Sequence, residues 1–264
     1  MQVTELWQYP IKSCKGNSIP SAVVQAEGFM ADRRFQWVLD NGRFVSQREF
    51  PQLALVHASY QGENLEIRYQ ERLWTLTPDD FQDKKTVTIW KDQVQADAYV
   101  GRVNTELSEL IGIPMSLVSM PEKGRPISDD CADGHVSFAD GLPYLLTNMQ
   151  SLADLNGRLD DPVTMNHFRA NIIVDGDVAY EEDHWNRVKI GNVVLRAVKP
   201  CARCIMTTID PTTANRRTDA EPLKTLSGYR MLAPGKIIFG MNMVAEELGV
   251  ISVGDQLEFI KDPR

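Results

Sequence analysis

The stretch from Arg34 to Ser46 constrains the fold more than any other part of the chain. It reads Arg34-Phe35-Gln36-Trp37-Val38-Leu39, then Asp40-Asn41-Gly42, then Arg43-Phe44-Val45-Ser46. Two strand-like runs around an Asn-Gly pair specify a β-hairpin, because Asn and Gly accept the positive φ that a tight turn demands. The pattern recurs through the first hundred residues. Thr4 to Tyr9 reads as a strand closed by Pro10, Asn64–Tyr69 pairs naturally with Leu73–Leu76, and Thr86–Trp90 with Gln93–Tyr99. Short strands cut by turns predict a β-rich architecture.

Helical periodicity enters next. Val103, Leu107, Leu110 and Ile111 fall on one helical face, and Gly112 and Pro114 end the run. Pro121 to Gly141 has no period and is rich in Pro, Gly, Ser and Asp, so a long loop is expected there. A second helix is predicted from Thr147, capped by a Thr-x-x-Gln pattern and burying Leu152, Leu155 and Leu159. Strands return at Ile172–Val174, Val188–Ile190, Val193–Val198, Ile237–Phe239 and Leu257–Ile260, with Ile205–Asp210 as a further candidate. The expectation is a β-rich α+β fold, with a smaller N-terminal domain over residues 1–115 and a larger one over 116–264.

Apolar residues make up 43% and charged residues 24% of the 264, which is enough to bury a core. A formal charge of −8 excludes any global attraction to nucleic acid or anionic lipid, though a local basic cluster can still hold a small anion. The opening residues carry no basic region followed by an apolar one, and no apolar run is long enough to span a bilayer. A cytoplasmic protein is the expectation. The acidic group Asp129, Asp130 and Asp133 reads as a solvated run. Met115, Met120, Trp90 and Trp185 read as packing residues.

Chemistry concentrates at Lys199-Pro200-Cys201-Ala202-Arg203-Cys204. By spacing, Cys-x-x-Cys is half of a zinc site, a thiol–disulfide pair, or two structural thiols. His57, His135, His167 and His184 are scattered, so no second half of a zinc site is apparent. A thioredoxin-like pair would open a helix. The spacing leaves structural thiols, a redox pair and a metal or cofactor ligand all open.

The wider sequence Pro200-Cys201-Ala202-Arg203-Cys204-Ile205-Met206-Thr207-Thr208-Ile209-Asp210-Pro211 resembles the signature of the MOSC domain. It is most similar to the branch that holds the mitochondrial amidoxime-reducing component and bacterial hydroxylaminopurine reductases. Tyr9 to Gly16, Phe138 to Pro143, Ser151 to Asn156, Phe168 to Ile172 and Glu221 to Leu226 extend the likeness in order, over nearly the whole chain. The resemblance implies a MOSC N-terminal β-barrel-like domain packed on a MOSC β-barrel domain.

It further implies a molybdenum–molybdopterin cofactor, without pyridoxal phosphate, whose metal is bound by Cys204. Soft thiolate suits such a metal, and Arg203 beside it favours the deprotonated sulfur. Lys12, Ser13, Arg34, Arg169, Asn171 and Arg203, with the Asp140-Gly141-Leu142 segment, would hold the pterin and its phosphate. Taken singly, each cation is an ordinary surface or ion-paired residue; only their convergence would make a site. The implied reaction is two-electron reduction of a small N-hydroxylated substrate, R–NH–OH to R–NH2 and water. Relatives that continue into a ferredoxin domain carry Cys-x4-Cys-x2-Cys, which is absent here. A separate flavoprotein reductase or ferredoxin is therefore expected as donor. A different implication of the MOSC resemblance is a sulfur carrier or cofactor-handling protein using a Cys204 persulfide. Ala214 stands where relatives often have Gly, which implies a local difference in that turn.

Overall fold

The computed structural model describes residues 1–127 and 132–260. Asp129 and Asp130 lie outside the described residues. The strand-rich α+β expectation is met, and the site is positioned by two sheets that exchange strands. The larger sheet has nine strands. It runs Asn17–Ile19, Val3–Gln8, Ile172–Val174, Tyr144–Asn148, Lys236–Glu247, Val193–Ala202, Arg187–Ile190 and Leu257–Ile260, with Met231–Ala233 on Lys236–Glu247. The smaller sheet runs Phe35–Val38, Ser116–Ser119, Asp92–Tyr99 and Phe81–Ile89. The N-terminal half also holds a three-stranded meander, His57–Gln61, Asn64–Tyr69 and Arg72–Leu76, and the strands Ser21–Gln25 and Gly28–Phe29, the former paired with Gly249–Ser252.

Packing does not divide at residue 115. Val3, Leu6 and Phe29 from the chain's start are buried with Tyr144, Ile172, Met241 and Leu257 in the C-terminal core. In return, Leu117 joins Ile11, Trp37, Ile67 and Leu107, and Phe138 joins Val38, Ile89 and Val118. Because the strand Val3–Gln8 runs beside Ile172–Val174 in the larger sheet, residues 9–14 emerge at the junction of the halves. Lys12 N–H then donates to the Phe35 carbonyl at 2.8 Å, pinning that segment to the smaller sheet.

The helix Arg102–Ile111 buries Val103, Leu107 and Ile111, the expected face, and ends at Gly112 in the left-handed region, φ 85°. The second helix, Met149–Asn156, starts later than the sequence pattern suggested. Asn148, not Thr147, is the cap: its side chain accepts the Gln150 N–H at 2.9 Å. Thr147 is inside the strand Tyr144–Asn148 and buried, so its hydroxyl is not placed to cap. Such a cap contributes about 1 kcal/mol.

Two further expectations are corrected. Within the supposed loop, Arg125–Pro126 pairs with His135–Val136 as a two-stranded ribbon. Ile205–Thr208 is a 3-10 turn instead of a strand. Its β-branched residues read as extended, but the Thr207 hydroxyl donates to the Cys204 carbonyl (3.0 Å) and the Thr208 hydroxyl to Ile205 (2.8 Å). Such back-bonding competes with a sheet ladder. At Ala214 the left-handed turn forms all the same, with φ 60°.

Glu182 is fully buried beneath the helix Met149–Asn156, and the Ser151 hydroxyl lies 2.9 Å from each of its carboxylate oxygens. Burial pushes its pKa up to about 7; neighbouring Asp183 acts in the same direction, while its own backbone N–H, Ser151 and Arg230 oppose it. A carboxyl raised in the fold contributes stability that is complete below its unfolded value and is lost as pH rises through about 7. Glu182→Gln should therefore remove a loss on the order of 2–3 kcal/mol between pH 5 and pH 8. Denaturant unfolding of both proteins at the two pH values checks this; identical pH dependence would contradict it.

Candidate active site

A cavity of about 540 Å³ lies where the halves meet, and Cys204 lines it. Among the described residues seven cations line it too, Lys12, Arg33, Arg48, Arg169, Lys199, Arg203 and Lys236, against the single carboxylate of Asp140. In a chain of net charge −8, such a local excess has to be built deliberately from separate elements.

Five of these cations, Lys12, Arg33, Arg48, Arg169 and Arg203, are held by contacts within the fold. Lys12 is buried, and its ammonium donates to the Phe138 carbonyl at 2.7 Å and to Asp140. Burial lowers the Lys12 pKa, against the attraction of Asp140. Burial by itself would raise Asp140, but Lys12 and Arg48 hold it well below the usual carboxylate range. Arg125, itself buried, donates to the Ala139 (2.8 Å) and Asp140 (3.0 Å) carbonyls and so fixes the segment that presents Asp140.

Arg33 and Arg169 lie over the ring of Tyr9, at 4.5 and 4.2 Å from its centroid. Arg33 is tied to Asp32, to the Asn171 side chain (3.0 Å) and to the Arg169 carbonyl (3.2 Å). Arg169 donates to the Cys14 carbonyl at 2.6 Å, with its own backbone in the left-handed region, φ 55°. Burial lowers its pKa to about 10, so it remains a cation at neutral pH. Two guanidinium groups crowded on one ring repel each other, and an anion between them and the cavity relieves that cost. Cys14, buried beside them, is pushed up to about 12 by burial and stays a neutral thiol.

At the thiols, Arg203 donates to Cys201 Sγ at 2.9 Å and to the Phe168 carbonyl at 2.7 Å. Phe168 stacks on Phe239 with centroids 3.9 Å apart, which stiffens the wall behind it. Arg203 Nε is buried with no hydrogen-bond partner among the described residues. Arg48 Nε lies 3.4 Å from Cys204 Sγ, and Arg48 Nη2 donates to Asp140 at 3.2 Å. Arg216 holds Arg48 from behind through its main-chain carbonyl.

The cavity thus brings together Lys12, Ser13, Asp140, Gly141, Leu142, Arg169, Asn171, Arg203 and Cys204. Arg34 is not among them. Its guanidinium turns away, donating to the Met120 (3.0 Å) and Pro121 (2.6 Å) carbonyls and pairing with Glu27. Arg33 takes the place expected of Arg34; both precede the strand Phe35–Val38, and Arg33 is the one with its backbone in the left-handed region, φ 49°. Arg48 and Arg125 were missed as well. Nothing in their local sequence marks them, and only the tertiary fold carries them to Cys204 and Asp140. Trp90, read as a packing residue, is exposed at the cavity.

Although the two halves share their packing, the sequence comparisons match them to two family models. Residues 1–114 match the MOSC N-terminal beta barrel domain and residues 133–258 the MOSC domain, so the chain belongs to the MOSC family. Among its relatives, the human mitochondrial amidoxime-reducing component 1 is 34% identical, over 96% of this chain and 81% of that one. Bovine mitochondrial amidoxime reducing component 2 is 32% identical over the same shares. A rice molybdenum cofactor sulfurase is 28% identical over 91% of this chain and 32% of its own. These relatives are thus amidoxime-reducing components and a molybdenum cofactor sulfurase.

The reassignment from Arg34 is directly testable. Arg33→Gln should weaken binding of inorganic pyrophosphate at least roughly tenfold, because a charged hydrogen bond is worth about 1.5–3 kcal/mol. Arg34→Gln should leave that affinity intact and lower stability instead. Calorimetric titration and thermal unfolding of the two variants distinguish them; loss of affinity in Arg34→Gln alone would reverse the assignment.

Proposed function

We propose that the cavity holds a molybdenum–molybdopterin cofactor through Cys204, and that the protein reduces N-hydroxylated compounds. What carries the reading is one juxtaposition: a half-buried thiol beside a guanidinium, opening into a cavity that, among the described residues, has seven cations and one carboxylate. The residues present fit such a group. Among the described residues no cluster of three His, Cys, Asp or Glu is placed to hold a metal ion, so a metal here has to arrive with most of its own ligands. A dithiolene supplies them and leaves room for one soft thiolate. The orphaned Arg203 Nε and the Arg33–Arg169 pair suit the phosphate.

When bound, the cofactor supplies the two-electron chemistry that takes the oxygen from R–NH–OH, with two protons, to give R–NH2 and water. The chain's own contributions follow from its contacts. Arg48 places positive charge beside the Cys204 sulfur, while Arg203, expected there from its place in the sequence, lies against Cys201 instead. Asp140 stays ionised, so it orients Lys12 and Arg48 and is not a proton donor at neutral pH. Electrons come from a separate protein, a flavoprotein reductase or a ferredoxin, a reading supported by the kinship with amidoxime-reducing components.

The kinship with a molybdenum cofactor sulfurase favours one second reading, sulfur transfer through a Cys204 persulfide. Metal analysis separates the two. Purified protein should contain molybdenum and reduce N-hydroxylated substrates with reduced viologen, while NADPH alone should support no turnover. Cys204→Ser should eliminate activity, and Cys201→Ser should retain most of it. Equal collapse of both variants, or zinc in place of molybdenum, would overturn the assignment.

A further inference from the structure

Trp90 occupies the tip of the hairpin made by Phe81–Ile89 and Asp92–Tyr99. Its backbone is at φ 56°, and it is 53% exposed while lining the cavity. Positive φ is a rare state for a bulky side chain, and it persists only where the surroundings hold it.

Here they do so from two sides. Thr88 N–H donates to the Gly42 carbonyl at 2.9 Å, packing the Asp40–Gly42 turn onto the hairpin. Only glycine permits this approach: a Cβ on Gly42 would meet the Thr86 carbonyl oxygen at 2.4 Å. On the other side, Arg125 joins Asp92 (2.5 Å) to the carbonyls of Ala139 and Asp140. The hairpin tip is thus locked to the segment that presents Asp140.

The indole is locked with it. Its N–H points to Asp140 Oδ1 at 3.4 Å, Phe44 meets it edge-on at 5.4 Å, and Arg48 lies over the ring at 5.0 Å. Arg48 also touches Cys204, so a single side chain separates the indole from the thiol. Leu232, 63% exposed, and Met206 add apolar surface to the same cavity. A rigid, exposed indole beside a cationic reaction centre is a surface for a flat ring, because stacking needs a π-face and little else.

We propose that Trp90 is a specificity-determining residue, a stacking platform by which this site prefers flat aromatic N-hydroxylated molecules to aliphatic ones. The proposal rests on the N-hydroxyl-reducing reading of the cavity.

The test uses the metal-loaded protein with reduced viologen, and compares 6-N-hydroxylaminopurine with N-hydroxyurea. Adenine, which carries no N-hydroxyl group, serves as a binding probe in calorimetry. Trp90→Ala should lower the purine's advantage in kcat/KM roughly tenfold, mainly through KM, and weaken adenine by a similar factor, as for loss of one base-stacking aromatic. Trp90→Phe should restore most of both. Unchanged selectivity and unchanged adenine affinity in Trp90→Ala would overturn the platform even if both substrates are reduced. If neither substrate is reduced but adenine weakens in Trp90→Ala, the platform stands and the reductase reading fails.

Discussion

A lysine ammonium does not stay charged in a protein interior without an anion, and Lys12 is buried. Its carboxylate partner, Asp140, is 128 residues away in sequence and belongs to the opposite half of the chain. This pair fixes the geometry of everything around it. Lys12 follows the strand Val3–Gln8, which is built into the larger sheet, so it cannot shift without disturbing that sheet. Asp140 is held by Arg125 from below, takes Arg48 on its other oxygen, and receives the Trp90 N–H. Arg48 in turn reaches Cys204. One carboxylate therefore sets the mutual positions of a buried cation, a guanidinium, an indole and a thiol.

The exchange of strands between halves serves the same end. A site at the seam of two independently folded lobes would vary with their relative motion. Here Val3 and Leu6 sit in the C-terminal core and Phe138 in an N-terminal one, so relative displacement of the halves would expose core residues on both sides. The cationic wall gains from that rigidity. Arg33, Arg169 and Arg203 are kept close together by carbonyl acceptors and aromatic faces, with repulsion that an anionic ligand relieves.

How far the sequence revealed this depended on whether the signal was local. The Asn41-Gly42 turn was legible because positive φ at Gly42 is a backbone requirement that few residues meet. The helix Arg102–Ile111 was legible from its 3.6-residue period. Thr207 and Thr208 misled because strand composition and hydroxyl back-bonding use the same residues. Arg34 was carried over from the family resemblance; it and Arg33 both precede the strand Phe35–Val38, so strand alternation does not decide which of the two points inward. Arg48, Arg125 and Trp90 carried no signal of their own. Their importance arises from contacts across 156, 14 and 50 residues of sequence.

The central claim is that a molybdenum centre sits in this seam, bound through the sulfur of Cys204. X-ray absorption at the molybdenum edge of the purified protein tests it most directly, since it reports the atoms bonded to the metal and not the activity. The sulfur shell of the wild-type protein should contain one more scatterer than that of Cys204→Ser, with Cys201→Ser matching the wild type. An unchanged sulfur shell in Cys204→Ser, on protein that still holds molybdenum, would contradict the account.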